Sequence, residues 1–186
     1  MTLIIMLFLI AMVFIFIWVV YNRFVKQKNL ILEAWGALDI TLKKRHDLVP
    51  NLISVVKGIS DHEKYLFTEI TKWRSKSSGD GDVLAQKDSE NRLSSLLGKI
   101  NIVIENYPNL VSGPNYVKLQ DQLMEIEDEI SYARRYYNGT IRNNNILIES
   151  FPSNFIAKMF NFYMQDYFEI ELSSEKVAPS INLDEE

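Results

Sequence analysis

The chain has 186 residues, a net charge of −4 and no cysteine. That length holds one ordinary domain with some chain to spare. The negative balance offers no general field for nucleic acid phosphates, and the missing cysteines exclude disulfides, thiolate nucleophiles and Cys-based metal sites.

Residues 2 to 22, "TLIIMLFLIAMVFIFIWVVYN", carry no charged side chain. At about 1.5 Å per residue they match the hydrocarbon thickness of a bilayer and predict a transmembrane anchor over 1–22 that contacts membrane lipid. A cleaved signal peptide expects a basic start and a small-residue cleavage motif, whereas here a threonine precedes the apolar run and "WVVYNRF" follows it. Trp18 and Tyr21 suit the headgroup layer. Arg23, Lys26 and Lys28 come before the first acid, Glu33, so the positive-inside rule predicts a single-pass cell-membrane protein with its N-terminus outside and its body cytoplasmic.

From Ile31 the apolar residues recur at steps of four and three, through Trp35, Leu38, Leu42, Arg45, Val49, Leu52, Val56, Ile59, Glu63, Leu66 and Ile70 to Trp73. The phase never slips at Pro50. A chain that stopped and restarted there would lose register, so the seam predicts one helix through the proline, bent at it and continuing to Trp73. An interior proline costs about 3 kcal/mol, which burial of Val49, Leu52 and Val56 at roughly 1.5 to 3 kcal/mol each can outweigh.

"SKSSGDGD" (75 to 82) reads as a loop. A second helix follows on Val83, Gln86, Glu90, Leu93, Leu97, Ile100, Ile104 and Tyr107, and "YPNLVSGP" then interrupts the pattern. A third runs from Tyr116 towards Phe151. Pro152 and Ser153, a residue suited to capping, open a last short helix reaching Phe168. The tail from Glu169 has six acids and one lysine and reads as disordered. The pattern is all-α, with an N-terminal transmembrane helix, a long antiparallel up-and-down four-helix bundle over 23–168 and an acidic tail over 169–186. A first soluble helix of about 64 Å and a second of about 37 Å require "PNLVSG" to run extended along the bundle.

Four blocks carry a resemblance: "EAWGALDITLKKRHDLVPNLISVVKGISDHE" (33 to 63), "YPNL" (107 to 110), "LQDQLMEIEDEISYARRYYNGTIRNNN" (119 to 145) and "FPSNFIAKMFNF" (151 to 162). They resemble the LemA family of bacterial membrane-anchored proteins. The resemblance implies an N-terminal membrane helix followed by a long antiparallel bundle, with no catalytic residues to carry over. Some relatives act in organising membrane compartments, and others are encoded near membrane proteases or other membrane proteins. Where relatives commonly have a Tyr-Asn pair near the end of the third helix, this chain has Asn144 and Asn145.

Arg45 and Glu63 interrupt the apolar seam, and a buried charge must be paired. The bundle drawn above places Glu63 level with Arg134, Arg135, Asn138 and Arg142, and Arg45 near Glu105, Asp121 and Glu125. Two interhelix polar clusters that fix helix register are the expectation. His46-Asp47 and His62-Glu63 lie too far apart on one continuous helix to share an ion, and no metal or cofactor site is expected. Tyr132, Tyr136 and Tyr137, beside Arg134 and Arg135, form a candidate partner surface. Together these features predict a non-enzymatic scaffold or adaptor for other membrane or cytoplasmic proteins at the cell envelope. Two alternatives are a membrane-bound hydrolase or sensor using the clusters around Glu63 and Arg45, and a membrane-remodelling protein.

Overall fold

The computed structural model describes residues 1–56, 64–77 and 83–169. Among them every regular element is helical: α1 (Thr2–Val55), α2 (Lys64–Ser77), α3 (Val83–Ile104), α4 (Pro108–Val111), α5 (Pro114–Glu149) and α6 (Ser153–Met159). The chain divides into two compact units. The first combines Met1–Thr41 with Glu129–Tyr167, and the second combines Leu42–Asp128 with the described residues from Phe168 onward.

In the first unit, α1 begins as an apolar helix whose side chains from Leu3 to Phe16 are all exposed, as a lipid-facing segment requires. By length and composition it can cross a membrane. Past this stretch Phe24 is fully buried with Leu147, Ile156 and Ala157, and Ile17, Val20, Ile148 and Phe162 pack around them. Further along, Trp35 meets the buried Tyr137 with ring centroids 5.4 Å apart.

In the second unit, Val49 and Leu52 of α1, with Val56 just past its end, share one core with Ile70 of α2, Leu93, Leu96, Leu97, Ile100 and Ile104 of α3, and Tyr116, Leu119 and Leu123 of α5. The helix does run through Pro50. The flanking Val49, Leu52 and Val56 are buried, so the predicted compensation is in place.

A second compensation was not legible. Proline lacks the N–H that would bond the carbonyl four residues back, which is that of His46. The Arg74 guanidinium reaches that oxygen instead, with Nε donating over 2.7 Å. A hydrogen bond from a charged donor contributes about 1.5–3 kcal/mol, so the orphaned acceptor is satisfied.

The same contact overturns the uninterrupted helix to Trp73. Twenty-eight residues of continuous helix would hold Arg74 about 42 Å from His46. The distance shows that α2 folds back beside α1, and residues 57–63, which carry Ile59, His62 and Glu63, lie outside the described residues.

With α1 turned back so early, no long return is needed, and "PNLVSG" is not extended. Pro108–Val111 forms a single helical turn, and the amides of Leu110, Val111, Ser112 and Gly113 bond back to carbonyls between Tyr107 and Leu110.

The last helix is also shorter than the apolar pattern implied. It ends at Met159, where Asn161 adopts φ 57° and the amide of Phe162 bonds the Ala157 carbonyl over 2.9 Å. This is a Schellman stop, with asparagine taking the left-handed position that glycine usually fills. Ser153 does not cap α6 through its side chain. Its hydroxyl donates to Leu147 O (2.7 Å) and Ser150 O (3.0 Å), serving the end of α5 instead. The loop residues 78–82 and the tail beyond Glu169 lie outside the described residues.

The proline and the arginine should be energetically coupled. Arg74→Leu is expected to destabilise the full-length protein by about 1.5–3 kcal/mol. In a Pro50→Ala background, where the amide of residue 50 can bond His46 O itself, the same change should cost much less. A double-mutant cycle by chemical denaturation checks this. Equal losses in both backgrounds would refute the compensation.

Candidate functional site

Arg45 falls on the seam of α1 that also carries Leu42 and Val49, so helix geometry turns it into the core, and its side chain has no exposed surface. A guanidinium there must find carboxylates, and two helices supply them. Glu90 of α3, also fully enclosed, pairs with Nη2, while Nη1 donates to Glu127 Oε1 of α5 and to Ser94 Oγ of α3, each at 2.9 Å. The other oxygen of Glu90 accepts from His46 Nε2 at 2.6 Å. An ionised carboxylate can only accept, so Nε2 carries the proton in this contact. The Nε–H of Arg45 finds no acceptor among the described residues.

The two acids are unequal. Glu127 is 49% exposed, so its bond to Arg45 is weakened by water, whereas the Glu90 contact is dry. Burial by itself would push the Arg45 pKa down, but the charges of Glu90 and Glu127 and the hydrogen bonds to both raise it above its ordinary value. Burial alone would likewise raise the Glu90 carboxyl. The bond from His46, the charge of Arg45 and the charge of His46 outweigh that and hold it below the usual carboxylate range. The cluster is a closed charge set tying α1, α3 and α5 together.

The expected partners of Arg45 are not the ones it meets. Glu105, Asp121 and Glu125 are exposed, and Glu90 and Glu127 take their place. The displacement follows from α2 folding back, which sets α3 beside α1 in a different register from the one a continuous rod implies. Glu90 was visible as an acid on the apolar seam of the second helix, a signal as strong as Arg45 itself. Glu127 carried none. Of the second expected cluster, Glu63 lies outside the described residues. Arg134 and Asn138 are half-buried, while Arg135 and Arg142 are exposed.

The tyrosines separate by burial. Tyr137 belongs to the core at 4% exposure, whereas Tyr132 and Tyr136 are 67% and 47% exposed. The Arg135 guanidinium lies 4.6 Å from the Tyr132 ring centroid. Burial, and then the nearby charge of Asp166, push the Tyr137 hydroxyl above its ordinary value.

In the first unit, Gln27 Nε2 donates to Thr140 O over 2.7 Å. The buried Asn145 forms a two-point bond with the backbone of Gln165: its Nδ2 donates to Gln165 O (2.9 Å) and its Oδ1 accepts from Gln165 N (3.0 Å). An amide side chain thus holds the chain that follows α6, and no spacing rule in the sequence signals it. Among the described residues, no group of three or more His, Asp or Glu side chains converges as a metal site would require.

These features define a helical protein with one N-terminal helix apolar and long enough to cross a membrane, and a polar interior whose charges are matched from within. The model of the LemA family matches residues 34–183, and the chain belongs to that family. It is similar to Protein LemA of Metamycoplasma hominis, at 26% identity over 76% of this chain and 65% of that protein. It is also similar to Magnetosome protein MamQ 2 of Paramagnetospirillum magneticum, at 23% identity, covering 80% of this chain and 64% of the relative. Magnetosome protein MamQ of Magnetospirillum gryphiswaldense is 21% identical over the same shares. The chain spans just under two thirds of the length of these curated relatives. Their names denote no enzyme.

The pH dependence of stability should report on Glu90. Its folded pKa lies below the unfolded one, so its contribution is complete above an unfolded value of about 4.3 and is lost as pH falls through the folded value. Glu90→Gln is expected to lower stability at neutral pH by about 3–5 kcal/mol, because Arg45 loses its dry counter-charge. The variant should also have a flatter acid limb in denaturation of the detergent-solubilised protein from about pH 7 to pH 3. Parallel curves for the two proteins would contradict the assignment.

Proposed function

We propose that this protein is a membrane-anchored, non-enzymatic scaffold or adaptor at the cell envelope, with its N-terminus outside and its helical body in the cytoplasm. One observation carries the reading. Among the described residues, the enclosed ionisable side chains of the second unit, Arg45, His46 and Glu90, are tied together, with Glu127 and Ser94 completing the set around Arg45, as a register lock requires. A hydrolase or sensor built on Arg45 would need that group open to a substrate, and it is fully enclosed.

In this reading α1, α2, α3 and α5, which share the core of the second unit, form an antiparallel four-helix bundle, and the first unit carries the partner surface. Tyr132 and Tyr136, with Arg135 against the first, supply the exposed aromatic and cationic groups favoured at protein contacts. Similarity to magnetosome proteins favours a second reading, in which the anchored protein helps to organise a membrane compartment. The scaffold reading and the compartment reading are compatible, and neither requires chemistry.

Photo-crosslinkers placed at Tyr132 and Tyr136 in intact native membranes should yield discrete adducts that disappear when the neighbouring Arg135 is replaced by Glu. A crosslinker at Ile146, exposed on the same helix, is the control. Adducts at none of the positions, or the same adducts at all three, would count against the partner surface. Protease added to sealed right-side-out vesicles should leave the body intact. Digestion from outside would reverse the topology.

A further inference from the structure

From the position of α6 we infer that this protein touches the bilayer twice, through the spanning part of α1 and through an aromatic rim formed by α6 and the residues that flank it, which dips into the boundary between headgroups and acyl chains. The inference rests on the reading of residues 2–22 as a membrane span.

The argument begins with a length. Twenty-one residues of helix measure about 31 Å, only just the thickness of a hydrocarbon core. Ile17 and Val20 therefore cannot be removed from the span. A helix stopping at Phe16 would leave about 22 Å. Yet Ile17 and Val20 pack on the cluster to which Ile156 and Ala157 of α6 belong. Tyr21, the last aromatic of the span, lies with its ring centroid 4.8 Å from Phe160, the residue that ends α6. An element resting against the last turns of a membrane helix occupies the depth of those turns. Ile17 lies five residues, about 7–8 Å, inside the end of the apolar stretch, which matches the 5–10 Å to which interfacial helices bury their apolar faces.

The surface composition of α6 agrees with that depth. Ile156 and Ala157 are turned inward, while Phe151 and Phe155 are 80% and 63% exposed, and Met159 and Phe160 are also exposed. Phe151 and Phe155 stand edge to face with centroids 6.0 Å apart, forming one apolar ridge. In water such a ridge is costly. At the interface it lies at the level of the last turns of α1, which Phe160 meets through Tyr21, and the exposed Lys158, with Arg23 and Lys26 on α1, can reach phosphate groups. The contacts of Phe160 with Tyr21, and of the cluster behind α6 with Ile17 and Val20, select lipid over a protein partner as the occupant. The Schellman stop at Asn161 and the Asn145 clamp on Gln165 then lead the chain away from this depth along α5.

The sequence has no cysteine, so one introduced thiol labels one position of the full chain. The protein is reconstituted in vesicles of zwitterionic and anionic phospholipid with an environment-sensitive fluorophore on Phe155→Cys, on Phe151→Cys, on Val13→Cys in the span, or on Ile40→Cys, exposed on α1 about 27 Å beyond the span. Nitroxide-bearing acyl chains should quench the label at 155 and at 151 at shallow depth, quench 13 more deeply, and leave 40 untouched, with blue-shifted emission at the first three. Phe151, just ahead of α6, and Phe155 within it are both exposed, so neither label should disturb the core, and either one decides the question if the other variant misfolds. Quenching at 13 with water-like emission at 151 and 155 would overturn the α6 contact and leave the anchor standing, and would point to a protein as the partner of that ridge. No quenching at 13 would overturn the anchor and the inference with it.

Discussion

A guanidinium with no contact with water is the constraint around which the second unit is built. Arg45 cannot lose its proton, so its charge must be matched inside the protein, and the carboxylates that match it come from α3 and α5. Sliding either helix by one turn, about 5.4 Å, would strand the charge. Hydrophobic contacts among Leu, Ile and Val tolerate such slips more readily, because their energy has no direction. The ion pair therefore adds less to stability than to uniqueness. Glu90 is the pivotal partner, since it is enclosed and also accepts from His46, the neighbour of Arg45 on α1.

His46 links this lock to α2 as well. Its side chain bonds Glu90, while its carbonyl oxygen, left without a helical donor by Pro50, accepts from Arg74. One residue thus joins α1 to α3 through its imidazole and to α2 through its backbone. The proline is integral to this arrangement. By removing a donor it frees an acceptor in the core, and that acceptor positions the helix that folds back. A defect in one helix becomes a contact between two.

Much of this was legible in the sequence, and the failures have physical causes. The passage of α1 through Pro50 and the burial of Leu38, Leu42, Arg45, Val49, Leu52 and Val56 followed from an unbroken four-three spacing. That spacing misled beyond Val55, because an apolar stripe that folds back on itself can resume in phase by coincidence. Periodicity reports which face is buried and is silent on whether the chain has reversed. Gly58 and Ser60-Asp61, just ahead of α2, were the competing cue. The end of α6 was missed for a related reason: Tyr163, Met164 and Tyr167 extend an apolar pattern, yet all three are exposed and lie beyond a left-handed Asn161. At the polar site, Arg45 was found because a charge on a seam is conspicuous, and Glu90 was equally conspicuous but was assigned no partner. Glu127, Arg74 and Asn145 act from positions that only the three-dimensional arrangement brings into reach.

If the buried charges set register and perform no reaction, their energies must be strongly non-additive. The direct test is a double-mutant cycle on Arg45→Met and Glu90→Leu, followed by denaturation of the full-length protein. Each single change should cost about 3–5 kcal/mol by stranding the other charge, and the double change should recover most of that loss, leaving a coupling of several kcal/mol. Losses that simply add would mean that the pair does not lock α1 to α3, and the account of the second unit would fail.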